Sequence, residues 1–477
     1  MVQMIINGQQ VDAVSGEVLD VLSPVDGVKF ATIPRGDAAD IDLAVEAARD
    51  AVENRWKEFN AAERGRLLMK LSYKVLDNLE ELAQLEAKDT GKALTTARAD
   101  ITVLARYFEF YAGGADKLHG DVIPFLNGYN VQVVREPLGV TAHIIPWNYP
   151  AQMLGRAVAP ALAMGNACVV KPAEDACLSV LRVAELALEV GFPPGVLNVV
   201  TGLGEEAGAA LAKHPGINFI SFTGSNEVGV SVQQAAALNA VKCVLELGGK
   251  SAHVVFNDAD FDLAIPTIVR GIVGNTGQTC TAGSRLLVQK EIYDKFMALM
   301  AEEFHKVKVG SPEMDLNCGP VVNKSQFERV NYYIEHGKKE GLELIAEGSI
   351  ADGVSPDGYY VVPTLFKAQN HDSKLFQDEI FGPVLVASPF DTEEEAIALA
   401  NGTDYGLMAA VWSENGGRQM RVAKAMKSGQ VYINGFGAGG GVELPFGGVK
   451  RSGHGREKGF IALEELSTTK TIIHHHG

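Results

Sequence analysis

This 477-residue chain has no basic clusters. Its 42 Lys and Arg against 59 Asp and Glu give a formal net charge of −17. No Lys/Arg run concentrates positive potential, so a nucleic-acid surface is not expected. No uninterrupted apolar stretch is long enough to span a bilayer, so no membrane segment is expected either. The opening residues, MVQMIINGQQVDAVSG, lack the basic start and apolar core of a secretory leader, and a cytoplasmic location is the expectation. Cysteine is scarce: Cys168, Cys177, Cys243, Cys280 and Cys318 are the five. They form no CxxC pair and accompany no metal-type histidine spacing, which argues against structural zinc and against a disulfide framework. The HHH triplet at 474–476 is a weak metal signal, and no metal site is expected.

The length calls for roughly two or three domains. Hydrophobic residues at 47% and charged residues at 21% fit a globular protein. DLAVEAARDAVENRW and RGRLLMKLSYKVLDNLEELAQLEAKDTG carry apolar residues at helical spacing and predict an N-terminal helical layer. Short apolar runs follow, each leading into helix-like sequence: GVTAHIIPWNYP, NACVVKPAE, GVLNVVTGLG, INFISFTGS and AVKCVLELGG. That alternation predicts a parallel, doubly wound sheet of the nucleotide-binding kind. A second α/β series starts near Ser251. The stretch DVIPFLNGYNVQVVREP reads as a hairpin turning at Asn127-Gly128. With the strand-like tail STTKTIIHHH, it is either an arm that pairs with another subunit or an ordinary surface hairpin.

Each predicted strand ends in a polar or glycine-rich tip, and ligands of open α/β sheets bind at those ends. FTGSNEVG places Gly224, Ser225 and Gly229 between strand and helix, where backbone N–H groups can meet a pyrophosphate. Its GxxxxG spacing is weaker than the usual dinucleotide fingerprint. VVKPAE ends in Lys171 and Glu174; a carboxylate there can accept from ribose hydroxyls and repel a 2′-phosphate, or can simply be solvated. Glu246 in LELGGK is a general-base candidate if burial raises its pKa. Asn148 in IPWNYP can donate to an oxyanion or serve as a turn residue. Cys280 in GNTGQTCTAGSRL reads alone as a packing cysteine, or as a nucleophile if partly exposed beside positive potential.

PWNYP, KPAE, FTGS, LELGGK, GQTC, EIFGP and PFGGVKRSGHGRE occur in that order. On these motifs the chain resembles the NAD(P)-dependent aldehyde dehydrogenase superfamily over nearly its whole length. The resemblance implies an α/β fold: a Rossmann-like cofactor domain (1–115 and 139–247), an α/β catalytic domain (248–450) and a small β oligomerisation arm (116–138 and 451–477). It implies Cys280 as the nucleophile, Asn148 and the Cys280 N–H as the oxyanion hole, and Glu246 as activator of the hydrolytic water. Relatives that pass the acyl group to coenzyme A generally lack that base, so its presence favours hydrolysis. For the cofactor the resemblance implies Ile144, Trp147, Lys171, Glu174, Gly204, Gly224, Ser225, Val228, Glu379 and Phe381. For the substrate it implies Tyr149, Met153, Arg156, Thr279, Thr281 and Phe446. NAD is expected, with NADP possible, and a homodimer or homotetramer.

Two departures from the family pattern bear on the substrate. Arg156 stands where many relatives carry a bulky aromatic. It resembles the succinate-semialdehyde branch, whose arginine grips a carboxylate, but that branch's second arginine is Gly274 here. Arg156 in a surface salt bridge is the competing reading. The next residue, Ala157, is often a lysine that joins a proton relay with the glutamate of GRE, here Glu457. The second departure is INGFGAGGGVELPFGG. Gly435, Gly437, Gly439, Gly440 and Gly441 leave few side chains at the tunnel mouth, and a roomy mouth suits a ring-bearing substrate. The expected reaction is NAD-dependent oxidation of a polar aromatic or carboxylate-bearing aldehyde. The alternatives are a succinate-semialdehyde-type dehydrogenase, or a cysteine esterase with dehydrogenase activity secondary.

Overall fold

The computed structural model describes residues 2–368, 370–437 and 441–477. Gly439 and Gly440, which the sequence reading placed at the tunnel mouth, lie outside the described residues. Two large sheets carry the fold. The first runs, edge to edge, Gln9–Val11, Met4–Ile6, Leu197–Val199, Ala167–Pro172, Val140–Ile145, Phe219–Thr223, Lys242–Glu246 and Gly453–His454. The five strands from Leu197–Val199 to Lys242–Glu246 are parallel. Numbered in chain order they lie 3-2-1-4-5, the doubly wound order expected from the sequence.

Burial explains why these segments are strands. ACVVKP is buried at all six positions, and VTAHII at five of six. Near-continuous apolar runs suit a parallel sheet covered on both faces. On one face pack Ala61–Asp77, Leu79–Thr90, Leu94–Gly114, Pro150–Ala163 and Leu178–Glu189, the anticipated helical layer among them. On the other lie Ala38–Asn54, Ala209–Lys213 and Asn226–Ala237. Capping boxes at Asp37/Asp40 and Asn60/Glu63 fix where two of these helices begin.

The second sheet runs Glu343–Glu347, Thr364–Lys367, Val384–Phe390, Arg285–Gln289, Ala252–Val255, Met408–Trp412 and Gln430–Ile433. All its pairings are parallel except the first. The predicted hairpin forms: Asp121–Ile123 and Tyr129–Pro137 pair antiparallel, and Ser467–His475 pairs along the whole of Tyr129–Pro137. Of the stretch 451–477, Gly453–His454 closes the edge of the first sheet and Ser467–His475 completes this separate three-stranded sheet. Its exposed apolar side chains include Val122 and Ile473. No helix among the described residues is long and apolar enough to cross a membrane.

Candidate active site

Register places the strand tips side by side. Lys171 is level with Ile144, Ile144 with Phe222, and Phe222 with Leu245; one residue further, Thr223 is level with Glu246. The crevice at the C-terminal ends of Val140–Ile145 and Phe219–Thr223 is the switch point of the sheet, where chain order reverses. A cavity of about 1170 Å³, counting its open mouth, occupies this place. Trp147, Asn148, Gly224, Ser225, Glu246 and Cys280 all line it. Met153, Glu379 and Phe381 do so too.

The phosphate end rests on a helix start. Ser225 caps Asn226–Ala237, its side chain accepting from the Val228 N–H. Val228 itself is exposed on the first turn. Unpaired N–H groups and the helix dipole favour an anion there. Lys171 is buried and donates to Glu174 at 2.7 Å, while the Glu174 side chain keeps a third of its surface. Ile144 and Lys171 both face Gly208, in the helical turn that Gly204 opens.

At the inner end, Glu379 accepts from the Gly249 N–H at 2.8 Å. Any Cβ on Gly248 would lie 2.3 Å from the Glu379 carboxylate, so this approach requires glycine. Burial pushes the Glu379 carboxyl up to about 7. Phe381 has a left-handed backbone, φ +63°, and meets Trp147 edge-on at 5.4 Å. Helix Lys324–Lys339 holds this strained segment by its carbonyls: Gln326 donates to Phe381 O and Arg329 to Glu379 O. Gln326 and Arg329 were not anticipated; they lie outside any motif. A capped helix start, a ribose-type carboxylate with its lysine, and a second buried carboxylate fit the donor and acceptor set of a dinucleotide.

Cys280 follows a kinked turn after helix Phe261–Val273, in which Asn275 and Thr276 take positive φ. Asn275 Nδ2 donates to Asn148 O at 3.0 Å, and Asn148 Nδ2 donates to Gln278 O at 3.0 Å. One Asn148 N–H is thereby used and the other stays available, while Oδ1 has no partner. Behind Asn148 lies Lys92, fully buried. It donates to Asn148 O at 3.0 Å and to Asp100 at 2.6 Å, and pairs with Glu86 at 3.3 Å. Burial works against its charge, but the two carboxylates more than offset that and raise its pKa. Burial pushes the half-buried Cys280 thiol up to about 12, with Arg156 acting the other way.

Glu246 is buried and has no hydrogen bond on either oxygen. Burial lifts its carboxyl to about 8 against the pull of Arg156. A smaller chamber opens on the other side of Cys280, lined by Tyr149, Arg156, Thr279, Thr281 and Phe446 among others. The Tyr149 hydroxyl bonds Thr279 at 2.9 Å. Arg156 is 4% exposed, its guanidinium carbon 4.3 Å from the Phe446 ring centre. It faces inward, away from solvent. It pairs through Nε with Glu457 and through Nη2 with Glu246 at 3.4 Å.

A thiol, an amide donor and a buried carboxylate thus converge on one crevice of a doubly wound fold. The chain belongs to the aldehyde dehydrogenase family, whose model matches residues 11–472. It is 43% identical over 479 residues to aldehyde dehydrogenase family 2 member C4 of Arabidopsis thaliana, covering 99% of this chain and 94% of that one. Among solved structures, a Burkholderia cenocepacia chain is 55% identical with TM-score 0.98, covering 100% of both. The NAD+ complex of betaine aldehyde dehydrogenase from Staphylococcus aureus is 37% identical with TM-score 0.97, covering 100% of this chain and 95% of that one.

Proposed function

We propose that this enzyme oxidises an aldehyde to its carboxylic acid with NAD, through a thioester on Cys280. The convergence of Cys280, Asn148 and Glu246 on one cavity carries the reading. The Cys280 thiolate adds to the carbonyl carbon, and the oxygen takes up the negative charge. The remaining N–H of Asn148 and the backbone N–H of Cys280 stabilise that oxyanion. Glu379, Phe381 and Trp147 would hold NAD beside this centre, and the chemistry it would supply there is acceptance of the hydride as the oxyanion collapses. Glu246 then removes a proton from water, which attacks the thioester and frees Cys280. Lys171, Glu174 and Ser225 hold the adenosine and pyrophosphate side, with Ile144, Gly204, Gly224 and Val228 near them. Glu379, Phe381 and Trp147 hold the nicotinamide side.

Tyr149, Met153, Arg156, Thr279, Thr281 and Phe446 form the aldehyde's surroundings. The substrate is a polar aromatic or carboxylate-bearing aldehyde, and the three-stranded arm makes a dimer or tetramer. Aldehyde-dependent formation of reduced nicotinamide, scored for benzaldehyde-type, acid-bearing and short aliphatic aldehydes, tests this reading. A strong preference for acetaldehyde would remove the substrate class. Ester cleavage without nicotinamide reduction would favour the cysteine-esterase alternative.

A further inference from the structure

The Lys92 ammonium meets three acceptors: Asp100 Oδ2 at 2.6 Å, Asn148 O at 3.0 Å and Glu86 Oε1 at 3.3 Å. An ammonium has three N–H donors, so all of them are used. The carboxylates are held in turn. Ser179 donates to Glu86 at 2.7 Å, and Gln152 donates to Asp100 at 2.6 Å. The Lys92 and Glu86 side chains are fully buried, and that of Asp100 nearly so. Taking such charges out of water is costly, and apolar residues of similar volume often fill the space at no loss of stability. What an apolar residue could not do is hold the Asn148 carbonyl.

A second donor reaches the same carbonyl from the other sheet. Asn275 Nδ2 lies 3.0 Å from Asn148 O and 3.2 Å from Gln278 O. Asn148 Nδ2 also donates to Gln278 O, two residues before Cys280. Asn148 is thus tied, at its carbonyl and at its amide, to the turn that carries the thiol. Lys92 stands just past helix Leu79–Thr90, in the helical layer of the first sheet. Asn275 follows helix Phe261–Val273, which packs on the second sheet. The backbones behind the two donors also touch. Gly91 ends its helix with a left-handed φ of +77°, and a Cβ on Gly319 would fall 1.8 Å from Gly91 O. Thr276, next to Asn275, donates to Gly319 O at 2.9 Å.

We propose that Lys92 and Asn275 are positioning residues for the oxyanion hole: by gripping Asn148 O together, they set the gap between the free Asn148 N–H and the Cys280 N–H. This rests on the reading that Asn148 stabilises an oxyanion. The two donors of that hole follow different sheets, so their spacing depends on what joins the sheets at this point. Misplacement by about 1 Å can cost about a hundredfold in rate.

The experiment is a double-mutant cycle on the full-length enzyme, read on the burst of reduced nicotinamide. Lys92→Met is combined with Asp100→Asn, so that the nearer carboxylate is neutralised along with its cation. Asn275→Gly removes the other donor and keeps the positive φ of that turn accessible. Each change should slow the burst about tenfold to a hundredfold and leave NAD affinity unaltered. In an Asn148→Ala background neither should slow it further, because the residue they hold in place is already gone. Equal slowing in both backgrounds would overturn the proposal, since a merely loosened fold does not act through Asn148. So would a wild-type burst rate in either altered enzyme. Should the Lys92 variant fail to fold, the Asn275→Gly cycle decides by the same two criteria. Asn148→Ala separates the two levels: an unchanged burst there removes the oxyanion reading itself, and a slowed burst with additive effects removes only the clamp.

Discussion

Arg156 Nη2 stands 3.4 Å from the carboxylate of Glu246, and the same guanidinium pairs through Nε with Glu457. One arginine therefore holds two carboxylates, and the buried Glu246 could not ionise cheaply without it. Removing one partner of a buried pair leaves charge uncompensated, at about 3–5 kcal/mol. Arg156→Met should lower the unfolding midpoint accordingly, and should push the rising, acid-side limb of turnover to higher pH, because Glu246 loses the cation that favours its charge. Arg156→Lys should recover part of both. Thermal unfolding with a pH–rate profile checks this; an unchanged profile would separate Arg156 from the base.

Burial holds the Glu246 carboxyl near 8. Below that pH the base carries its proton and cannot take another from water. Steady-state turnover should therefore rise as pH climbs towards about 8 wherever thioester hydrolysis limits the rate. Glu246→Gln should retain the first burst of reduced nicotinamide and lose subsequent turnover by about a hundredfold or more. Rapid-mixing traces at several pH values show whether the burst and the steady state part in this way.

Asn148 offers a free N–H because its other one is fixed on Gln278 O, and its backbone is anchored by Lys92 and Asn275. Asn148→Ala should slow the burst itself by about 100- to 1,000-fold, the usual cost of an oxyanion donor. Single-turnover rates measure it. Loss of cofactor binding with an unchanged burst rate would argue for a role outside the oxyanion hole.

Glu174, held by Lys171 at 2.7 Å, would sit against a 2′-phosphate. Glu174→Ser should raise efficiency with NADP relative to NAD. A ratio of kcat/KM values that does not move would show that cofactor choice is made elsewhere.

The apolar runs and their glycine-rich tips made the first sheet legible, because a parallel strand buried on both faces leaves little room for polar residues. AHIIPWNY and CVVKPAE were readable as strands with polar tips, while their adjacency and register came only from the structure. The hairpin at Asn127-Gly128 was legible because alternation and a turn signal are local; its pairing with the tail was not, because Tyr129–Pro137 and Ser467–His475 lie far apart in the chain. What surrounds Arg156 was not. Glu246 and Glu457 lie 90 and 301 positions away, and nothing at residue 156 announces partners so distant. Ala157 drew attention as a missing lysine, while the neighbouring Arg156 makes the pair with Glu457. Gln326 and Arg329 were hidden likewise, since they hold Glu379 and Phe381 by backbone carbonyls, which leave no sequence signature. The positive φ of Asn275 and Thr276 just before Cys280 was equally silent, although asparagine tolerates that conformation better than most residues.

The central claim is that Cys280 carries the acyl group. The direct measurement is mass spectrometry of the intact protein, quenched during turnover of an aldehyde with NAD, for the Glu246→Gln enzyme and for Glu246→Gln combined with Cys280→Ala. The account expects the first to gain the mass of one acyl group per chain on the peptide containing Cys280, and the second to gain none and to form no reduced nicotinamide. Full nicotinamide reduction by the Cys280→Ala enzyme, or an acyl group on another residue, would contradict it.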